Sequence, residues 1–430
     1  MADDLDKADF FRGDELNVDP YPYFDALRGK CPVTREPNHG VMMVTGYDEA
    51  IEVLHDSETF SSCVSVTGPF PGFPVPIEGD DITDLIEEHR DKLPMSDQLP
   101  TLDPPVHTAH RSLLMKLITP KRLKENEEQM GRLADGLLDT YLDGTGGEFI
   151  RGFAGPFTLL VIADLLGVPD EDLPDFREQF NLQENTGTIG STDDMSLAHT
   201  PLAFLYERFA AYIEDRRRSP RGDVLTGLAS ATFPDGSTPE PIESAKVAAN
   251  LFAAGQETTV RLLGTALKVI AERPDVQAYL REDYGRIQNF VEETLRHESP
   301  IKGDFRLSRV PTTIGGVDVP AGTTVMVVNG GVNRDPRKFE DPEKFDPARA
   351  NARHHVAFGR GIHTCPGAPL ARAEGRAAIE RILDRTSDIR VSESKHGPAD
   401  DRKYKYVPTY ILRGITSLHL EFTPKGGEAR

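Results

Sequence analysis

The spacing of apolar residues along the chain predicts a mainly helical protein with small sheets at one side. Helical periodicity dominates from about residue 106 to residue 271. Breaks in it are predicted near residues 144–147, 186–194 and 219–223. Residues 241–273 form one long helical pattern that Pro274 stops. At about 1.5 Å per residue this helix would span roughly 50 Å, enough to cross the molecule.

Shorter segments toward both ends of the chain predict strands. Residues 40–56 predict a strand followed by a short helix, and they are entered through a hairpin turn at residues 38–40. Strand-like pieces return at residues 312–328 and 407–422, and an irregular, proline-punctuated segment lies between them at 333–349. Neither an internal repeat nor a low-complexity linker divides the sequence. We therefore expect a single domain.

Two stretches are expected to control access to a site. Residues 63–105 are rich in Gly, Pro and Asp around Phe70, Phe73 and Val75. Long, weakly periodic connections of this kind are usually lids or binding loops. The second access region is expected at about residues 170–222. Residues 1–18 are expected to be a flexible tail.

Composition and charge exclude several classes of protein. The 430 residues carry 49 basic and 70 acidic side chains, a net charge of −21, which argues against nucleic acid as a partner. Apolar runs stay well short of the roughly 18 residues that span a bilayer, so we expect no membrane anchor. The acidic start of the chain is unlike a signal peptide. With only three cysteines, the cytoplasm is the expected compartment.

Two basic islands stand out in this acidic chain. Residues 104–124 and 347–373 contain no Asp or Glu, yet each contains several Lys or Arg residues. Charge runs are usually solvated faces. The alternative is that both islands bind an anionic cofactor or an acidic partner.

Cys365 is the residue whose chemistry most needs an explanation. It lies in FGRGIHTCPGAPLAR, residues 358–372, where Pro and Gly follow it and a helix-forming stretch comes next. Gly361 and Gly367 allow a close backbone approach, and Phe358 can pack beside the sulfur. Such a thiol is an inert core residue, a nucleophile, or the single ligand of a metal.

Three further patterns carry chemistry. Glu257 and Thr258 lie within an apolar helix, where a threonine hydroxyl bonds back to the carbonyl four residues earlier. Glu293 and Arg296 form an i,i+3 pair, which is ordinarily a surface pair of small energetic value. His107 and Arg111 lie four residues apart on one helix face, the spacing for joint contact with one anionic group.

The loop around Cys365 resembles the haem-binding loop of the cytochrome P-450 family, Phe-x-x-Gly-x-His-x-Cys-x-Gly. Phe358, His363, Cys365 and Gly367 match that pattern. The resemblance implies the cytochrome P-450 fold, with haem b held between the long helix and the helix after the loop. It also implies that Cys365 is the axial ligand of the haem iron.

The same resemblance extends over nearly the whole chain. Ala254, Gly255, Glu257 and Thr258 match the family's Ala-Gly-x-Asp/Glu-Thr-Thr run, which implies an acid–alcohol pair that relays protons during dioxygen activation. Further residues have family counterparts with two implied roles. A structural lock behind the loop is implied for Glu293, Arg296 and Arg349, and contact with the haem propionates is implied for His107, Arg111, Arg306 and His363.

The family resemblance implies a soluble, bacterial-type haem-thiolate monooxygenase. It would insert one atom of O2 into a C–H bond of a largely apolar small molecule, such as a terpenoid, steroid, fatty acid or aromatic. Two electrons would come from an acidic ferredoxin and its reductase, which would dock at the basic islands. The expected pocket residues are Phe70, Phe73, Val75, Leu251, Ala254, Ile301, Tyr410 and Ile411.

Two alternatives remain open at the level of sequence. A peroxide-driven or dehydrating haem-thiolate enzyme would share Cys365 but would not need Glu257 and Thr258. A haem-based sensor without enzymatic activity would need an effector surface or domain. Two residues differ from many relatives: Glu257 replaces a common Asp, and His419 replaces a common Pro.

Overall fold

The computed structural model describes Leu5, residues 8–180 and residues 196–425 of the chain. The helix break that the sequence predicts at residues 186–194 lies outside the described residues. No described helix is both long enough and apolar enough to cross a membrane.

Helices make up most of the regular structure in the described residues. They are α1 (Asp14–Val18), α2 (Tyr21–Lys30), α3 (Tyr47–His55), α4 (Thr83–Glu88), α5 (Val106–Leu117), α6 (Pro120–Tyr141), α7 (Gly155–Leu166), α8 (Leu173–Gln179), α9 (Ser196–Arg218), α10 (Val224–Ala229), α11 (Pro241–Glu272), α12 (Pro274–Glu282), α13 (Ile287–His297), α14 (Asn329–Val332), α15 (Ala368–Arg385) and α16 (Glu393–His396). The breaks predicted near residues 144–147 and 219–223 both lie between helices.

Helix α11 is the long helix that the sequence predicts. It begins with Pro241 at its first turn, where a proline costs no hydrogen bond, and Glu240 and Glu243 form a reciprocal capping box. The helix contains 32 residues, and Pro274 follows its end. It packs against α7, α9 and α15, so it runs through the helical core.

The strands form small sheets beside the helices. They are β1 (Val33–Arg35), β2 (Met42–Val44), β3 (Phe60–Ser61), β4 (Gly146–Glu148), β5 (Asp304–Ser308), β6 (Thr312–Ile314), β7 (Val317–Val319), β8 (Thr324–Val327), β9 (Thr386–Val391) and β10 (His419–Pro424). The largest sheet has the order β1-β2-β8-β5-β3, the second β4-β10-β9, and the third β6-β7. The predicted hairpin joins β1 to β2, with Arg35 opposite Met42.

Within the strand-like stretch predicted at residues 407–422, only the last part forms a strand. Only β10 belongs to a sheet, and the preceding residues form the isolated bridges Tyr406↔Ile415 and Ile301↔Leu412. The backbone N–H of Val407 donates to the carbonyl of Gly414 at 3.0 Å, so this segment closes on itself. A chain that folds back within ten residues cannot present a continuous ladder to a neighbouring strand.

The expectation of a flexible tail over residues 1–18 is wrong for its described end. Phe10 and Phe11 are 2% and 4% exposed. Phe11 packs edge-to-face on Tyr410 with ring centroids 5.4 Å apart, and its ring also lies beside Phe70 and Phe305. Burial of two aromatic side chains is worth more than the ordering of a short segment costs, so the chain packs here.

The Glu293–Arg296–Arg349 lock forms as expected, and it is buried. Arg296 donates to both carboxylate oxygens of Glu293 at 2.7 and 2.9 Å, and Arg349 Nε donates to Glu293 Oε1 at 3.1 Å. The remaining guanidinium N–H groups donate to backbone carbonyls of Asn333, Glu340 and neighbouring residues of the irregular segment. This triad therefore holds together a segment that has little regular structure.

We predict that Arg349→Ala lowers the free energy of unfolding by about 3–5 kcal/mol, because it leaves a buried carboxylate with one partner fewer. The matched control is Arg390→Ala, which breaks the exposed Arg390–Asp388 pair at 2.9 Å and should cost less than about 1 kcal/mol. Equilibrium denaturation in urea measures both. Equal effects of the two substitutions would contradict the structural role of the triad.

Candidate functional site

The Cys365 loop is a tight turn between the irregular segment and helix α15. The backbone N–H of Cys365 donates to the carbonyl of Phe358 at 2.8 Å, which closes the loop. Gly361 has a φ of +69°, and a Cβ there would lie 2.1 Å from the carbonyl oxygen of Leu54 in α3. Only glycine fits this position, so the loop and α3 can pack backbone against backbone.

Some groups around the Cys365 thiol raise its pKa and others lower it. Burial raises its pKa. Hydrogen bonding from the backbone N–H groups of Gly367 and Ala368 and the charges of Arg111 and Arg372 act in the opposite direction. The described residues hold no group of three or more His, Cys, Asp or Glu side chains that could bind a metal ion together. A metal at this loop would therefore not be held by three or more such side chains.

One face of helix α11 is left uncovered in the middle of the core. Ala254 is exposed and Thr258 is half-buried one turn later, although Phe252 and Val260 on either side are fully buried. The Thr258 hydroxyl donates to the Ala254 carbonyl at 2.8 Å, as the sequence predicts. Glu257 pairs with Arg261 at 2.9 Å. This face presents a hydroxyl and a carboxylate within one helical turn.

Four nitrogen-rich side chains meet beside the Cys365 loop. The rings of His107 and His363 lie 4.1 Å apart, and Arg111 donates to the carbonyl of Thr364 at 2.5 Å. Arg306 is 6% exposed and carries a charge close enough to lower the pKa of both histidines. The structure thus brings together all four residues that the family resemblance assigns to the haem propionates.

Burial and positive charge dominate the surroundings of the two histidines in this cation cluster. Burial first, and then the neighbouring cations, lower the pKa of His107 to about 4 and that of His363 to about 2. Both ring nitrogens of His107 are buried without a hydrogen-bond partner among the described residues. Buried polar atoms normally find partners. Two carboxylates of a haem would supply both acceptors and charge, so the residues present fit this group.

A second buried ion cluster lies behind the loop, and the sequence analysis missed it. Glu292 accepts hydrogen bonds from His355 at 3.0 Å and from Arg372 at 2.6 Å. Burial would raise the pKa of Glu292, but these two partners lower it to about 2. The guanidinium of Arg372 also lies 4.6 Å from the ring centroid of Phe358. The only sequence signal is a second Glu beside Glu293, which has no spacing of its own to reveal its partners.

The residues expected to line a substrate pocket fall into three groups. Tyr410 and Ile411 are buried at 3% and 5% exposure in the cluster against which Phe70, Phe73 and Ile301 pack. Leu251 and Ala254 lie on α11, of which only Ala254 is exposed. Val75 is half-buried in the 63–105 segment. Contact of these side chains with a substrate stays a prediction.

Comparison with known proteins agrees with this geometry. A family model described as cytochrome P450 matches residues 212–387. The chain is 32% identical over 421 residues to Cytochrome P450 144 of Mycobacterium tuberculosis, which covers 96% of this chain and 91% of that protein. It is 30% identical over 412 residues to the Vitamin D(3) 25-hydroxylase of Pseudonocardia autotrophica, with 94% of each chain covered.

Solved structures show the same fold. The substrate-free form of the Mycobacterium marinum cytochrome P450 CYP150A6 superimposes with a TM-score of 0.92 at 54% identity, over 98% of this chain and 100% of the other. CYP109E1 from Bacillus megaterium, in complex with testosterone, superimposes with a TM-score of 0.78 at 27% identity, over 94% and 99% of the two chains. The chain therefore belongs to the cytochrome P450 family, as a bacterial-type monooxygenase whose cofactor is haem b.

Proposed function

We propose that Cys365 binds the haem iron through its thiolate and that His107, Arg111, Arg306 and His363 bind the haem carboxylates. The observation that carries this proposal is the pair of partnerless, buried ring nitrogens of His107 within a cluster of cations. Phe358 and Gly367 would flank the sulfur: a Cβ on Gly367 would lie 3.8 Å from it. Ala254 would leave room for the opposite face of the ring.

When bound, the haem supplies the activation of dioxygen, so that one oxygen atom enters a C–H bond and the other leaves as water at the expense of two electrons. As a thiolate ligand, Cys365 would donate electron density to the haem and so favour cleavage of the O–O bond. The N–H groups and guanidinium groups around the sulfur limit how basic that thiolate is.

Thr258 and Glu257 are proposed to hold and move the protons that this reaction consumes. The Thr258 hydroxyl donates to the Ala254 carbonyl, so its oxygen faces the uncovered side of α11 as an acceptor. Glu257 is held beside it by Arg261 and is partly exposed, which leaves its carboxylate a path to water. A carboxylate and a hydroxyl one residue apart can pass a proton inward.

The proposed substrate is a largely apolar small molecule. The residues proposed to line the pocket are largely apolar: Leu251 and Ala254 lie on α11, and Phe70, Phe73 and Val75 belong to the 63–105 segment. The relatives' names support this class, since one is a vitamin D(3) 25-hydroxylase, another is a 6-deoxyerythronolide B hydroxylase, and a similar structure contains testosterone. Hydroxylase names also favour an oxygen-inserting enzyme over a haem sensor.

The proposed electron donor is an acidic ferredoxin, working with its reductase in the cytoplasm. Basic side chains of both islands lie near the Cys365 loop: Arg111 contacts Thr364, and Arg353 is 61% exposed. Lys121 is 85% exposed at the start of α6. Met115 and Ile362 are exposed apolar side chains within the same two islands. A basic rim with apolar side chains suits a small acidic partner.

We predict that Thr258→Ala separates electron consumption from product formation. The variant should bind haem normally, but product formed per electron pair should fall to roughly a tenth or less, because positioned proton transfer is worth on the order of 10²-fold or more. A compound that shifts the haem spin state in a screen of lipophilic molecules serves as the substrate. Thr258→Ser keeps the hydroxyl and should retain most of the coupling. Unchanged coupling in Thr258→Ala would remove this residue from the mechanism.

We predict that reversing charge on the proposed docking surface slows electron transfer from ferredoxin. Lys121 and Lys124 are both exposed, so Lys121→Glu with Lys124→Glu should lower the second-order rate constant about tenfold at low salt and flatten its salt dependence. Arg360 is unsuitable for this test because its guanidinium donates to the His355 carbonyl at 2.7 Å within the loop. Lys403→Glu, at an 80% exposed side chain, is the control. If the variant with Lys121→Glu and Lys124→Glu and the Lys403→Glu control have equal rate constants and equal salt dependence, the proposed docking site is contradicted.

A further inference from the structure

Asp103 is a buried carboxylate that three parts of the chain share. It is 5% exposed and stands three residues before helix α5. Its Oδ2 accepts hydrogen bonds from the Ser61 hydroxyl at 2.5 Å and from Arg90 and Arg309 at 2.8 Å each. Its Oδ1 accepts from the backbone N–H of Ser62 at 2.8 Å. Four donors on one side chain are close to the capacity of a carboxylate.

The first partner region of Asp103 is the 63–102 segment, which we call the lid. Arg90 lies in the lid, and it also donates to the Thr101 carbonyl at 3.0 Å and to the Glu87 carboxylate at 2.7 Å. A second lid residue, Ile82, donates its backbone N–H to the carbonyl of Arg309 at 2.9 Å. The lid is thus attached at two separate points. Its Arg90 contacts Asp103, and its Ile82 contacts Arg309, the other ionic partner of Asp103.

The second partner region is the edge of the large sheet. Ser61 belongs to β3, and Arg309 directly follows β5, where the backbone N–H of Arg309 donates to the Thr59 carbonyl at 2.8 Å. Strands β3 and β5 pair, with Ser61 opposite Leu307. Asp103 therefore bridges the two edge strands and neutralises the buried Arg309, which is 8% exposed.

The third partner region is the cation cluster of the haem site. Asp103 accepts the backbone N–H of His107 at its own carbonyl at 2.9 Å, so it begins the helix that carries His107 and Arg111. Ser62, whose backbone Asp103 holds, places its hydroxyl 3.0 Å from Nε2 of His363. Arg306 lies on β5, three residues before Arg309, which follows the end of that strand. Each residue of the cluster thus either contacts Asp103 or a residue that Asp103 holds, or lies within a few residues of one along the chain.

We propose that Asp103 is a positioning residue that couples lid closure to haem retention. Through Arg90 it holds the lid against the sheet, and through Ser62 and the start of α5 it holds the histidines where the haem carboxylates bind. The Asp103 side chain contacts Arg90 and the backbone N–H of Ser62 through different oxygens, and the start of α5 contacts its backbone carbonyl. The haem half of this proposal rests on the proposed function of the cation cluster, whereas the lid half does not.

Single-contact variants separate the two tasks. Holoenzyme is prepared as native protein and as Asp103→Asn, Arg90→Gln and Ser62→Ala, with Glu87→Gln as the control that removes only the other acidic partner of Arg90. Hydrogen exchange followed by mass spectrometry reports on the lid peptides. Transfer of haem to excess apomyoglobin reports on haem retention. Neither readout depends on turnover.

We expect Asp103→Asn to speed both lid exchange and haem transfer by about tenfold, since charged hydrogen bonds are lost on both sides. Arg90→Gln should speed lid exchange by about tenfold and change haem transfer by less than about threefold, and Ser62→Ala should do the reverse. Glu87→Gln should change neither by more than about threefold. Native rates of either process in Asp103→Asn would overturn the coupling.

Two further comparisons decide the proposal where Asp103→Asn alone cannot. If Asp103→Asn does not accumulate as folded holoenzyme, Arg90→Gln and Ser62→Ala decide the question, and equal effects of both on both readouts would overturn the proposal. His107→Ala tests the haem cluster itself. If haem transfer stays native in His107→Ala as well, the proposed function of the cluster fails, and the lid exchange of Asp103→Asn still decides the lid half.

Discussion

The proposed ligation of the haem iron requires Cys365 to carry a negative charge in the protein interior, and the rest of the proposed site depends on this constraint. A buried thiol resists ionisation, so the chain surrounds the sulfur with groups that favour the charged form. The N–H groups at the start of α15 point at the sulfur, and Arg111 and Arg372 stand on either side. These groups come from two separate stretches of chain, the first turns of α15 and helix α5, and each stretch needs support of its own.

That support comes from three buried carboxylates, each of which holds one irregular stretch. Glu293 holds the segment before the Cys365 loop through Arg296 and Arg349. Glu292 holds the loop itself through His355 and Arg372. Asp103 holds the lid and the edge of the sheet. Buried ion pairs add little net stability against apolar packing, but losing one partner is costly. They suit segments that must keep one conformation without helix or sheet hydrogen bonds.

The sequence predicts the elements that follow from a local pattern of residues. It does not predict the contacts that form between distant segments. Helix α11, the β1–β2 hairpin and the Glu293 triad follow from periodicity, turn residues and a family motif. Glu292 and Asp103 have no regular spacing to their partners, because the contacts are decided when distant segments pack. The burial of Phe11 was missed for the same reason: its partners include Phe70 and Tyr410, which lie far away in the chain. The local sequence pattern therefore identifies the candidate reacting residues better than it identifies the residues that hold them in position.

The central claim is that Cys365 ligates the haem iron as a thiolate, and the absorption spectrum of the reduced protein with carbon monoxide tests it directly. We expect the long-wavelength Soret band that is characteristic of thiolate ligation, both in the native protein and in Cys63→Ala, whose thiol is buried away from the loop with a pKa raised to about 11. Cys365→His should lose that band while it retains haem. A native spectrum with the shorter-wavelength band of a histidine or neutral thiol ligand, or a long-wavelength band that survives in Cys365→His, would contradict the account.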